Sequence, residues 1–264
     1  MIWMWAVVQA FAGAPSPGRE EAILSYDQWG VFPGAPEEKA YGPDHLAAGP
    51  LGLAALVDPT RSRVMVLRDL QLEGSFLAWG VDDLGFTEEG QLLLLRGRTI
   101  SLVRTDGTAL SEMTVPDLVP TSIVLQVEGS RVWGADAFGN RHAIAEIGIG
   151  GLSAPDGRSY QRNPTRALIG VGQVTIGAWS FPVAGGAKMG VRVVDNASVA
   201  VVDALVDTSP IRVSREIVTP SARWTLDLAG RQYAPVDDVA VGSDGTLIWF
   251  EPLADGLHLY RTKP

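Results

Sequence analysis

The sequence predicts an all-β fold, and three observations carry that prediction: abundant turn-forming residues, apolar runs of strand length, and a turn that recurs in register. Of 264 residues, 46% are hydrophobic and 19% charged, with 30 glycines and 17 prolines. That composition supplies a sizeable core and suits many short strands joined by tight turns. Helical periodicity is missing: no long stretch carries an apolar stripe at 3.6-residue spacing without an interrupting Gly or Pro. Short apolar runs occupy 53–57, 63–67, 92–95, 100–103, 123–127, 199–206 and 247–250 instead.

The turns share a register. Leu53, Leu84, Ile123 and Val239 each begin a largely apolar run, and an acid stands five residues later: Asp58, Glu89, Glu128 and Asp244. Gly90, Gly129 or Gly245 follows in three cases and Pro59 in the fourth. An acid before Gly supplies the positive φ that a tight hairpin needs. The lead-in also repeats, as Val81-Asp82-Asp83-Leu84 and Val236-Asp237-Asp238-Val239. The acids lie 31, 39 and 116 residues apart, and 116 is close to three units of 39. Asp156-Gly157 and Asp195-Asn196 mark degenerate units in the long gap. A period near 40 in a strand-rich chain predicts a β-propeller with four strands per blade. From residue 20 onward there is room for about six blades, within a range of five to seven. Trp29, Trp79, Trp133, Trp179 and Trp224 recur at 45 to 54 residues, as equivalent positions in successive blades would.

The stretch from Ala48 through Gly49-Pro50-Leu51-Gly52-Leu53 to Asp58, followed by Ser62-Arg63-Val64-Met65-Val66-Leu67, resembles the blade core of NHL-type propellers. In that family a Gly-Pro-x-Gly opening leads into an inner strand, a turn and a second strand. Asp83 to Phe86 with Glu89-Gly90, and Asp238 to Val241 with Asp244-Gly245, are similar but less complete. Asp58 and Arg63 have the spacing of the family's turn signature, with Arg61 where the family has Asn. The resemblance rests on residues that shape the backbone, so it implies a fold and not an activity.

Residues 1–14, MIWMWAVVQAFAGA, contain no charged side chain and end in small-x-small patterns at Ala10-Phe11-Ala12 and Ala12-Gly13-Ala14. They read as a secretory signal peptide, which leaves 15–264 as a single propeller domain in the periplasm or outside the cell. No later apolar run is long enough to span a bilayer. The formal net charge is −9 with Lys and Arg scattered, so no basic patch exists to neutralise a nucleic-acid backbone. There are no cysteines, which excludes disulfides, thiolate catalysis and Cys-ligated metal.

Catalytic motifs are sparse. His45, His142 and His258 have no neighbouring histidine at metal-ligand spacing, so a shared centre would have to be assembled from separate blades. There is no Gly-x-Ser-x-Gly elbow, no phosphate loop and no Asp-x-Asp-x-Asp-Gly calcium loop. Gly148-Ile149-Gly150-Gly151 reads as a Gly-rich link between blades. Asn196-Ala197-Ser198 matches a glycosylation acceptor. The acid pairs Asp82-Asp83 and Asp237-Asp238 are the candidate metal ligands. Just before an inner strand they would stand at one mouth of the channel, where a hard cation such as Ca²⁺ takes carboxylate oxygens. The competing expectation is that each Asp caps a turn.

Three functions are consistent with these features. The leading one is a non-catalytic scaffold that binds another protein or a ligand with no resident cofactor, the segment 27–46 with Trp29, Phe32 and Tyr41 forming an arm. The second is a Ca²⁺-dependent hydrolase resembling the six-bladed lactonase and gluconolactonase enzymes. The third is a structural subunit of a cell-envelope complex. Oligomeric state is not legible.

Overall fold

The computed structural model describes residues 19–25, 42–115, 124–136, 140–157, 160–161, 168–170, 173–183, 189–194, 199–208, 211–226, 228, 231 and 235–262. The segment 1–14, the aromatic residues Trp29, Phe32 and Tyr41, and Asn196-Ala197-Ser198 lie outside them. Among the described residues every regular element is a strand, and no helix is long and apolar enough to cross a membrane.

The chain is a β-propeller whose described strands form six sheets. Strand β1 (Glu20–Leu24) comes first, then a sheet of β2 (His45–Ala48), β3 (Leu53–Asp58), β4 (Arg63–Arg68) and β5 (Gln71–Leu77). The next holds β6 (Asp83–Phe86), β7 (Leu92–Arg96), β8 (Thr99–Val103) and β9 (Ala109–Thr114). The third holds β10 (Val124–Glu128), β11 (Arg131–Ala135), β12 (Arg141–Gly148) and β13 (Gly151–Ser153), with β14 (Tyr160–Gln161) also paired to β12. The fourth holds β15 (Leu168–Gly170), β16 (Gln173–Ile176) and β17 (Trp179–Pro182). The fifth runs β18 (Met189–Val194), β19 (Val199–Thr208), β20 (Ile211–Val218) and β21 (Arg223–Leu226). The sixth holds β22 (Val239–Val241), β23 (Leu247–Leu253) and β24 (Gly256–Thr262), completed on its outer edge by β1. The last sheet is therefore built from both ends of the chain.

The continuous apolar runs follow from burial on two faces. All six residues of β3 are buried. Ala54 and Leu56 pack into a cluster with Ile248, Phe250 and Leu257 of the sixth sheet, while Ala55 and Val57 pack with Leu84, Leu92 and Leu94 of the second. Alternation along a strand sends successive side chains to opposite faces, so a strand covered on both sides has no polar phase. Five such clusters join the sheets: sixth to first, first to second, second to third, fourth to fifth and fifth to sixth. The outer strands β5 and β9 alternate between exposed and partly buried instead, and their sequences gave no apolar run to read.

The structure corrects the frame of the repeat. The runs that begin at Leu84 and Val239, and the described part of the run from Ile123, Val124 onward, lie on first strands (β6, β22, β10), whereas Leu53 begins a second strand, β3. The turn between the first and second strands of the first sheet is at Gly52, not Asp58. Gly52, Gly90, Gly129 and Gly245 all have positive φ, between 57° and 79°. Their separations are 38, 39 and 116 residues, so the short interval of 31 was one strand out of phase. Gly148 to Gly151 is the β12–β13 hairpin within a sheet rather than a link between blades. The tryptophans are not equivalent: Trp133 is on the second strand of its sheet, Trp179 on the third, Trp224 on the fourth, and Trp79 on a connection.

Leu56, wholly buried between two sheets, loses about 2–5 kcal/mol of stability as Leu56→Ala. Leu77→Ala, at an exposed outer position, changes stability by no more than about 0.5 kcal/mol. Urea unfolding of the two variants checks the contrast.

Candidate functional site

Antiparallel order fixes which ends of the strands share a face. First and third strands begin, and second and fourth strands end, on the same side of the ring. Three first strands bring acids to that side: Asp44-His45 at β2, Asp82-Asp83 at β6 and Asp237-Asp238 before β22. They are neighbours. His45 and Asp237 form a parallel bridge, and the Asp237 N–H donates to the Asp44 carbonyl at 2.8 Å. His45 Nδ1 stands 3.7 Å from Asp83 Oδ1, too far for a hydrogen bond.

All four acids singled out in the sequence have specific structural partners. Asp82 is exposed, and its Oδ2 accepts from the Gly97 N–H at the β7–β8 turn. Asp238 is wholly buried and takes three guanidinium groups: Arg192 Nη2 on Oδ1 at 3.3 Å, with Arg215 Nη1 and Arg231 Nη1 both on Oδ2 at 2.8 Å. Burial alone would raise its pKa, but Arg215, Arg231 and Arg192 outweigh burial and hold it below the usual carboxylate value. Asp237 pairs with Arg192.

Asp83 is the opposite case. Its Oδ1 accepts from the Leu84 N–H at 2.8 Å, and its Oδ2 from the Leu125 N–H of β10 at 2.6 Å. It therefore ties two neighbouring sheets together, with no arginine or lysine paired to it among the described residues. Burial raises its pKa to about 7, the charges of Asp237 and Asp82 adding to that while the two amides oppose it. Asp44 is raised too, chiefly by burial. Among the described residues, Asp44 Oδ1 and His45 Nδ1 are buried atoms without a hydrogen-bond partner.

The mouth is thus divided. One arc (Asp44, His45, Asp83) is acidic and poor in cations. The other gathers Arg192, Arg215 and Arg231 around Asp237, Asp238 and Asp203, whose two oxygens accept from Arg215 Nε at 2.6 Å and Nη2 at 2.8 Å. The arginines come from β18, β20 and the β21–β22 connection, and no local motif announced them. The other histidines have separate surroundings: His142 packs on Tyr160, and His258 lies between Glu21 and Asp255. Among the described residues no group of three or more His, Cys, Asp or Glu could hold a metal ion.

No protein family and no curated protein sequence matches the chain. Among solved structures it is similar to a streptogramin B lyase, with 10% identity over 93% of this chain and 97% of that one and a TM-score of 0.47. It is also similar to the β-propeller domain of Myceliophteria thermophila Cps50 (Swd1), at 10% identity over 84% and 96%, with a TM-score of 0.43. A third is Kluyveromyces lactis Hsv2, at 12% identity over 79% and 59%, with a TM-score of 0.32.

Because Asp83 is raised, the folded chain keeps a proton there between about pH 4 and 7 that the unfolded chain has released. Where the folded state binds more protons, stability falls as pH rises. An Asp83→Asn variant cannot ionise, so its stability falls by up to about 1.4 kcal/mol less per pH unit across that window. Urea unfolding at a series of pH values measures the slope, and an unchanged slope refutes the assignment.

Proposed function

We propose that the chain is a non-catalytic propeller that binds a partner protein through the face on which the first strands begin. The observation that supports this most is Trp79. Its side chain is on the β5–β6 connection, which is held in place where the Ala78 N–H donates to the Ser62 carbonyl at 2.8 Å, yet the residue is 72% exposed. Exposed single apolar residues are ordinary, but a fixed, exposed Trp among others is the composition of a binding hot spot. Leu77, Val124, Tyr160 and Val236 are also exposed, and strand direction puts all of them on this side. The charged mouth lies within the same face and offers polar pairing around an apolar contact.

The segment 1–14 supports a location in the periplasm or outside the cell. The calcium-dependent hydrolase draws less support, since Asp238 and Asp82 spend oxygens on arginines and on a turn amide.

The test is capture of proteins from a cell-envelope extract on the immobilised chain, compared with Trp79→Ala and with Leu51→Ser, an exposed site on the opposite face. Trp79→Ala is expected to weaken the captured partner by about 2 kcal/mol, roughly thirty-fold in Kd, and Leu51→Ser to leave it unchanged. Equal retention by Trp79→Ala, or loss with Leu51→Ser alone, overturns the assignment.

A further inference from the structure

Arg215 and Arg231 treat Asp238 alike. Each donates Nη1 to the same oxygen, Oδ2, at 2.8 Å. They differ at the other edge of the guanidinium, where Nε and Nη2 point the same way and fit two oxygens of one oxyanion. On Arg215 that edge is filled: Nε and Nη2 grip the two oxygens of Asp203 at 2.6 and 2.8 Å. On Arg231 both atoms are buried and neither has a hydrogen-bond partner among the described residues. The Arg231 side chain is only 5% exposed, so bulk solvent has little access to it. Buried donors left unmade are costly, and more so on a charged group. Among the described residues Arg231 is the arginine with both atoms of this edge in that condition.

We infer that the Nε–Nη2 edge of Arg231 is a binding site for an oxyanion of the carboxylate class, which would occupy it as Asp203 occupies Arg215. The hydrogen-bonding capacity favours this: Asp237 and Asp203 serve Arg192 and Arg215, and Asp238, shared among three guanidinium groups, takes only Nη1 of Arg231. Arg231 lies on the connection from β21 to β22, beside the mouth and at the seam of the fifth and sixth sheets. The residue before β22 fixes it: Asp238 is anchored by its own carbonyl, which accepts from the Phe250 N–H at 3.1 Å. The site does not depend on partner binding through Trp79, and it is tested without any partner.

The probes are sodium acetate and inorganic phosphate, each titrated against chloride at constant ionic strength, with the melting temperature as readout. A saturable rise of several degrees with acetate is expected, by preferential binding to the folded state. Arg231→Lys keeps the charge beside Asp238 but has no side-on edge, so the rise should disappear in that variant. Should that variant fold poorly, the ¹⁵N-labelled wild-type chain gives a second reading. The Arg231 Nε–Hε resonance is to shift with acetate along a single saturating curve, while that of Arg215, already paired, stays in place. A rise with phosphate and none with acetate would overturn the carboxylate assignment. No rise and no shift with either anion, or an equal rise in Arg231→Lys, would overturn the site altogether.

Discussion

Burial of the middle strands on both faces is the constraint from which the rest of this structure follows. A sheet such as β2–β5 is not a surface with an inside and an outside. It is a slab pressed between two neighbours, with Ala54 and Leu56 committed to one and Ala55 and Val57 to the other. Such a slab cannot be stable alone, because removing either neighbour exposes a complete apolar face. The ring must therefore close, and polar groups are displaced to strand ends or held in pairs. Asp58, with no exposure at all, is met by Arg63 Nε at 2.9 Å and the Arg61 N–H at 3.3 Å.

Closure is made by the two ends of the chain. β1 pairs with β24 from Glu20 opposite Arg261 to Leu24 opposite Leu257. Arg261 then reaches in two directions, to Glu20 of β1 and, at 2.6 Å, to Asp69 in the β4–β5 turn of the first sheet. One guanidinium thus connects the amino-terminal strand, the last sheet and the first sheet. Glu21 Oε1 accepts from His258 Nδ1 at 2.8 Å, and Arg19 lies over the Tyr260 ring, which stacks on Trp249. Polar groups on this outer edge therefore orient the strand, while Leu24, Leu257 and Leu259 supply the apolar contact that holds it. Exposed ion pairs contribute little by themselves, so the arrangement is best understood as fixing register on a surface that packing already favours.

Several middle strands were legible in the sequence because two-faced burial writes itself as an unbroken apolar run, although β11, β12, β20 and β24 were not among the runs. β3, β4, β7, β8, β19 and β23 all appeared that way. The outer strands did not, since Gln71–Leu77 and Ala109–Thr114 mix polar and apolar residues on an edge that faces solvent. The repeat was legible in its period but slipped by one strand at Leu53. An acid before a turn marks any hairpin of the blade, whereas the shared positive φ belongs to Gly52, Gly90, Gly129 and Gly245. Local sequence could not separate the two.

The same limit governs the mouth of the ring. Val81-Asp82-Asp83-Leu84 and Val236-Asp237-Asp238-Val239 are near copies, and they place their second acid equivalently before a first strand. Yet Asp83 is pushed up toward neutrality while Asp238 is held down. Much of the difference lies in what neighbouring elements present. Asp83 meets two backbone amides and a distant imidazole; Asp238 meets guanidinium groups from β18, β20 and the β21–β22 connection. A fold that repeats its backbone every 38 or 39 residues gives equivalent positions to residues with no sequence relation to one another. Charge can then be distributed unevenly around a nearly symmetric frame. Here the acid pair recurs before two first strands, and the arginines that distinguish one arc of the mouth from the other do not recur. That asymmetry, rather than the acid pairs that announce it, is what makes one side of the ring chemically specific.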